Sequence, residues 1–258
     1  MANTPLTLER CGAVARLRFT RPEALNAINA DMAQALVDSC RALSCDTALR
    51  AVVISGEGRG FMAGGDLNEL RQEPVAAAQR IIEPLHESIR LLTGMPVPVI
   101  ASVHGVVAGA GLSLMMAADL AIAAAGTRFN FAYTHIGTSC DAGASWALPR
   151  LVGLRKAMEI ALYSEPFDAD EALRLGLLTK VVPETELAVA TSAMAERLVG
   201  LEPTAVTNLK QLLRSSLDQS LKHQLDAEQA AFVDCVSQPG FVAAVEAFFA
   251  RRPTRGAG

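Results

Sequence analysis

Two short stretches, Phe61-Met62-Ala63-Gly64-Gly65-Asp66 and Gly105-Val106-Val107-Ala108-Gly109-Ala110-Gly111, each follow an apolar run and lead toward a helical pattern. Turns with so little side-chain bulk leave backbone N–H groups open to a ligand. The Gly64-Gly65 pair leaves the Gly65 peptide unobstructed. A helix beginning near Gly109 would present unpaired N–H groups and the positive end of its dipole. Two such donors aimed at one carbonyl oxygen stabilise an enolate or another oxyanion, and a single donor of this kind is worth roughly 2.7–4 kcal/mol. A later loop, Gly137-Thr138-Ser139-Cys140-Asp141, supplies a carboxylate. Asp141 could serve as the acid–base group. It could also cap a helix starting near Ala142, and a cap would itself fix the side chain. The second stretch is not a phosphate-binding loop, because no Lys-Ser or Lys-Thr follows it, and its glycines do not fit a dinucleotide fingerprint.

The elements that must position these groups alternate. Strands are expected at Ala13–Phe19, Ala51–Ser55, Val97–Val103, Asp119–Ala125 and Leu178–Val182. Helices are expected from Asp31 to about Leu43, through Ile81, Leu85, Ile89 and Leu92, and over Gly109–Ala118, which is apolar all round and therefore buried. This order is that of the α/β class. From about Pro183 the pattern becomes helical. Thr185 is a candidate cap for a helix carrying Leu187, Met194 and Leu198 and closed by Gly200. Pro203 opens the next, with Val206, Leu209 and Leu213. Leu217, Leu221, Leu225 and Phe232 mark a third, and Phe241–Ala250 a fourth. The expected organisation is a core over 1–182 and a helical region over 183–258, whose broad apolar faces must pack on the core or on another subunit. Residues 254–258 are expected to fray.

Composition narrows the function. With 258 residues, 51% hydrophobic and 19% charged, the chain can bury a full core. A net charge of −4 and the lack of a basic stripe argue against a nucleic-acid partner. No membrane span and no secretory leader are expected. Five scattered cysteines read as reduced thiols in a cytoplasmic protein. No ligand cluster suggests a metal or a redox cofactor.

Several motifs in order give a more specific reading. They are Arg21-Pro22-Glu23-Ala24-Leu25-Asn26-Ala27, Phe61–Asp66, Pro98-Val99-Ile100-Ala101, Gly105–Gly111, Ala118-Asp119-Leu120-Ala121-Ile122-Ala123, Leu148-Pro149-Arg150-Leu151-Val152-Gly153, Glu171-Ala172, Gly176-Leu177-Leu178 and Ala247-Phe248. Over essentially its full length the chain resembles the crotonase superfamily, the enoyl-CoA hydratase/isomerase family. The resemblance implies a spiral of β-β-α turns with a C-terminal helical trimerisation region, assembly as a homotrimer or a dimer of trimers, and acyl-CoA substrates. Coenzyme A would enter as part of the thioester, with no separate cofactor. It assigns the oxyanion N–H groups to Gly65 and Ala110. It also places Ala24, Ala63, Asp66 and Leu67 at the coenzyme A moiety.

The chain departs from the hydratases of that family at two positions. The glutamates that position and activate water there fall here on Ser113 and Tyr133, and neither can act as a carboxylate base. Ser113 reads as a small polar residue on a buried helix. Tyr133 reads as a wall of the acyl pocket whose hydroxyl could orient a substrate. Family members with Asp at the position of Asp141 include enoyl-CoA isomerases and 4-chlorobenzoyl-CoA dehalogenases. In the latter, His86 aligns with the base and Tyr133 with an aromatic of the benzoyl pocket. His86 also reads as a partly buried helix histidine. His104 and His135 read as structural or supporting residues, His223 as solvated and Trp146 as core. Three functions follow: isomerase-type proton transfer by Asp141; dehalogenation with Asp141 as nucleophile and His86 as base; or a non-catalytic or atypical hydratase paralogue.

Overall fold

The computed structural model describes residues 4–250. The end expected to fray, residues 254–258, lies outside the described residues. A hairpin opens the fold, with β1 (Leu6–Cys11) antiparallel to β2 (Val14–Phe19). Helix α1 (Ala30–Ser44) is capped by Asn29, whose side chain accepts the Met32 N–H at 3.0 Å, and it leads to β3 (Ala51–Gly56). Helices α2 (Leu67–Gln72) and α3 (Pro74–Gly94) follow. The next turn is β4 (Val99–Val103), β5 (Val106–Ala108) and α4 (Ala110–Ala117). The one after is β6 (Leu120–Ala124), β7 (Arg128–Asn130), α5 (Ala144–Val152) and α6 (Leu154–Tyr163). Then come β8 (Phe167–Asp168), α7 (Ala169–Arg174), β9 (Lys180–Val182) and α8 (Leu187–Val199).

This is the expected spiral of β-β-α turns. Each middle turn sends one strand into a six-stranded sheet of order β1-β2-β3-β4-β6-β9, parallel apart from the first hairpin. Its short second strand pairs in a separate array, β5-β7-β8, which Met62 extends through a parallel bridge to Val107. Strand alternation divides the core between the two faces of the large sheet. Val52, Ile54, Ala101 and Val103 pack with Met32, Leu36, Leu85 and Leu112. Val53, Ile100 and Ile122 turn the other way, against Leu187 and Ala195 of α8. Every residue of α4 is buried, as its apolar circumference requires.

The seam of the chain differs from the expected one. The two compact units divide after Val199, not after Val182, because α8 covers the second face of the sheet. Thr185 does not cap α8; it lies inside a 3-10 turn, Glu184–Glu186, that runs into it. The second unit holds α9 (Pro203–Ser215), α10 (Leu221–Ser237) and α11 (Pro239–Ala250). Leu217 belongs to a 3-10 turn, Ser216–Asp218, ahead of α10. Asn208 ties α9 to α10 by donating to Asp234 Oδ2 at 2.8 Å. Leu209, Leu213, Leu221, Phe232 and Phe249 are exposed on this unit. Among the described residues no single helix is long and apolar enough to cross a membrane.

Candidate active site

The two glycine-rich turns meet. Gly64 has φ +107 and Gly109 has φ +50 with ψ −122, conformations that a side chain would strain. A Cβ added to Gly64 would lie 3.3 Å from Ala108 O and 3.7 Å from Ala110 N, and one added to Gly109 would lie 3.5 Å from Gly64 Cα. Backbone bonds hold the turns together. Met62 N–H donates to Val106 O at 3.2 Å, and Ala108 N–H donates to Met62 O at 2.9 Å. On the far side Ile28 N–H donates to Gly64 O and Asp66 N–H to Ile28 O, at 2.8 and 2.9 Å. In a parallel bridge of this kind the residue between the two bonds, Gly65, turns its own N–H away from the partner strand. Ala110 is the first residue of α4, where helical geometry supplies no acceptor. Neither N–H has a hydrogen-bond acceptor among the described residues. Two open amides on touching turns are what an oxyanion site needs.

Asp141 joins this site through Tyr133 and Ser113. The Tyr133 hydroxyl donates to Asp141 Oδ1 at 2.5 Å and lies 2.9 Å from Ser113 Oγ. Ser113, in the first turn of α4, also reaches Gly109 O at 3.2 Å. The two residues standing where hydratases carry glutamates thus bond to each other. The chain Asp141–Tyr133–Ser113–Gly109 ends at the residue before Ala110. Burial, followed by the negative charge and hydrogen bond of Asp141, pushes the Tyr133 hydroxyl far above the usual phenol range. Tyr133 therefore stays protonated and gives its one proton to Asp141, while the single Ser113 hydroxyl proton is shared between the Tyr133 oxygen at 2.9 Å and Gly109 O at 3.2 Å. The bond from Tyr133 fixes the direction of the Asp141 carboxylate. The Tyr133 ring also packs edge-on against Phe131, with centroids 5.1 Å apart.

Asp141 is not a helix cap. Helix α5 starts at Ala144 after Gly143, with no side-chain cap; Asp141 contributes only its carbonyl, which accepts the Ala144 N–H at 3.0 Å. The two site residues are each next to a left-handed alanine: Ala132 at φ 62 precedes Tyr133, and Ala142 at φ 48 follows Asp141. Such backbone costs alanine about 1–2 kcal/mol and persists only where neighbours enforce it. Ala132 N–H is shared by Asn130 Oδ1 and Ser164 Oγ, each at 2.8 Å, and Ser164 donates to Asn130 Oδ1 at 3.2 Å. The Asn130 carbonyl accepts the Gly109 N–H at 3.1 Å, so one residue braces both the oxyanion turn and Tyr133. Neither Asn130 nor Ser164 stands out in the sequence, where each is an ordinary polar residue at the end of an element.

His86 reaches the same place from α3, where its Nε2 accepts the Ala142 N–H at 3.1 Å. This contact engages the Nε2 lone pair that a base would use. His104 bonds Gly58 O through Nε2 at 2.8 Å and steadies that turn. His135 and His223 are exposed. Trp146 is not core, contrary to expectation. It is 42% exposed on the outer side of α5, under the Arg150 guanidinium at 4.1 Å, because Ala144, Ala147 and Leu148 take the inward face.

The residues assigned to coenzyme A also lie along neighbouring segments. Ala63 N–H donates to Leu25 O, next to Ala24, at 3.0 Å. Asn26, fully buried, donates to Glu57 O and Gly60 O at 2.9 Å each, and accepts the Arg21 N–H through Oδ1 at 2.9 Å. This fastens the Pro22–Ala24 turn to the loop before Phe61. The Asp66 carboxylate is occupied by Arg21 at 2.9 Å and by the Asn68 N–H at 3.1 Å. Its side chain therefore organises the turn, and Leu67 beside it is exposed.

A spiral α/β core with two open backbone N–H groups on touching turns, linked to a carboxylate through Tyr133 and Ser113, fits the class of enzymes that act on carbonyl compounds through stabilised anions. The family model described as Enoyl-CoA hydratase/isomerase matches residues 9–255. A protein of Rhodobacter capsulatus named "Probable enoyl-CoA hydratase" is 34% identical over 240 residues, covering 93% of each chain. The 1,2-epoxyphenylacetyl-CoA isomerase of Escherichia coli K12 is 34% identical over 223 residues, 84% of each. A 4-chlorobenzoyl coenzyme A dehalogenase of an Arthrobacter species is 31% identical over 226 residues, 86% of this chain and 80% of that one. The crystal structure of an enoyl-CoA hydratase from Mycobacterium smegmatis superposes with a TM-score of 0.91 at 30% identity, covering 97% and 98% of the two chains. The chain belongs to the enoyl-CoA hydratase/isomerase family, within the crotonase superfamily, and is an acyl-CoA enzyme.

Proposed function

We propose that this enzyme is an isomerase that moves a proton along the acyl chain of an enoyl-CoA, with Asp141 as the acid–base group. The thioester oxygen would accept the Gly65 and Ala110 N–H groups. Asp141 would take a proton from the α-carbon of a 3-enoyl-CoA, leaving a dienolate whose charge rests on that oxygen, and return it to the γ-carbon to give the 2-enoyl product. The observation that carries this reading is the hydrogen-bonded chain from Asp141 through Tyr133 and Ser113 to Gly109. It supplies one oriented carboxylate where a hydratase would need two. The Escherichia coli relative named 1,2-epoxyphenylacetyl-CoA isomerase supports isomerisation of a CoA thioester only in general terms, its named substrate being an epoxide. The test is turnover of 3-enoyl-CoA by the wild type and by Asp141→Asn. A loss of about 10²–10⁴-fold in kcat is expected, and an unimpaired variant removes Asp141 from the mechanism.

The dehalogenase reading asks His86 to activate water, and the bond from Ala142 N–H to His86 Nε2 speaks against that. Halide release from 4-chlorobenzoyl-CoA would reinstate it. We also propose that the exposed apolar faces of α9 to α11 pack against further copies of the chain, in a trimer or a dimer of trimers.

A further inference from the structure

We infer that His86 is a positioning residue for Asp141, acting as a backbone latch and not as a base; this rests on Asp141 being the acid–base group proposed above. The peptide unit between Asp141 and Ala142 is clamped at both ends. Its N–H donates to His86 Nε2 at 3.1 Å, and its carbonyl accepts the Ala144 N–H at 3.0 Å. Fixing that plane fixes the backbone torsion from which the Asp141 side chain departs toward Tyr133. The clamp holds against a local preference, because Ala142 is left-handed at φ 48. It is also applied by a rigid element. Leu85 and Ser88, on either side of His86 along α3, are fully buried. One turn further, Ile89 meets the same loop, its Cγ2 lying 3.6 Å from where a Gly143 Cβ would stand. Helix α3 thus grips the loop at two consecutive points. An N–H donor demands an unprotonated acceptor, so the Nε2 lone pair cannot hold Ala142 and take a proton from water at the same time.

The two roles separate by substitution. Glutamine carries an amide oxygen at the reach of Nε2 and can accept the Ala142 N–H, yet it cannot act as a base. Leucine fills the space without an acceptor, and asparagine keeps an amide that falls short. The experiment measures kcat and KM with 3-enoyl-CoA, and hydrogen–deuterium exchange at the Ala142 amide, in the wild type, His86→Gln, His86→Asn and His86→Leu. We expect His86→Gln to keep kcat within about 3-fold with Ala142 still protected. His86→Leu and His86→Asn should lose roughly 10²-fold in kcat at nearly unchanged KM, with Ala142 exchanging fast. Should His86→Leu fail to fold, His86→Asn supplies the same comparison. If His86→Gln is as inactive as His86→Leu while Ala142 stays protected, His86 is an acid–base group and the inference is overturned. Unchanged exchange at Ala142 in both His86→Leu and His86→Asn overturns it as well. A wild type that does not turn over 3-enoyl-CoA would sink the isomerase reading alone, since the exchange measurement needs no substrate.

Discussion

Gly109 carries two burdens at once. Its backbone, at φ +50 and ψ −122, suits glycine alone, and its N–H and C=O are both engaged, by Asn130 O and by Ser113. Alanine there would force the turn to rotate and carry the Ala110 N–H off its target. Gly109→Ala should therefore lower kcat by about 10²–10³-fold, the cost of one misplaced oxyanion donor, while the folded state persists. Steady-state kinetics with circular dichroism of the variant checks both halves. The glycines and Asp141 were legible as chemistry because few other residue types serve those roles. The Tyr133–Asp141 bond was not. It spans eight positions, with left-handed backbone at Ala132 and Ala142 beside its two ends, which nothing about alanine announces. The same holds for His86, whose partner is a main-chain amide with no side-chain signature.

Among the elements, those with strong patterns were legible: the apolar parallel strands and the wholly buried α4. Strand β1 is not legible, because it lies at the sheet edge with only Leu6 buried and so lacks an apolar run. Helix α8 is legible as a helix, but the unit it belongs to is not. Its amphipathic pattern resembles that of the helices after it, and only the outward-turned Val53, Ile100 and Ile122 show what it covers. Helix α1 supplies a test of burial at this scale. Cys40 is buried on its inner face, and burial pushes its thiol up from 9.0 to about 12. The folded state thus holds a proton that the unfolded chain releases. The associated stability is complete below about pH 9 and is lost as pH rises from there toward 12. Cys40→Ala should start less stable at neutral pH, through the small cavity, and show a shallower decline between pH 9 and 11. Urea denaturation at both values checks the sign.

For the whole molecule, the apolar surface of the C-terminal helices sets the main expectation. Leu209, Leu213, Leu225, Phe232 and Phe249 are all more than half exposed, more than an isolated chain of this charge would comfortably show to water. Light scattering after size exclusion should give three or six times the chain mass. The paired substitution Leu209→Asp and Leu213→Asp should reduce it. A monomeric wild type at micromolar concentration would count against assembly.

Asn130 has a consequence for where this chain tolerates change. One carboxamide and its own carbonyl tie the Gly109 turn to the backbone just before Tyr133, so both segments share one anchor. Between the two left-handed alanines, the side chains of His135, Ile136 and Ser139 stand in solvent, outside that bracing. Substitution at those three positions therefore leaves the hydrogen bonds of Asn130 to Gly109 and Ala132 untouched.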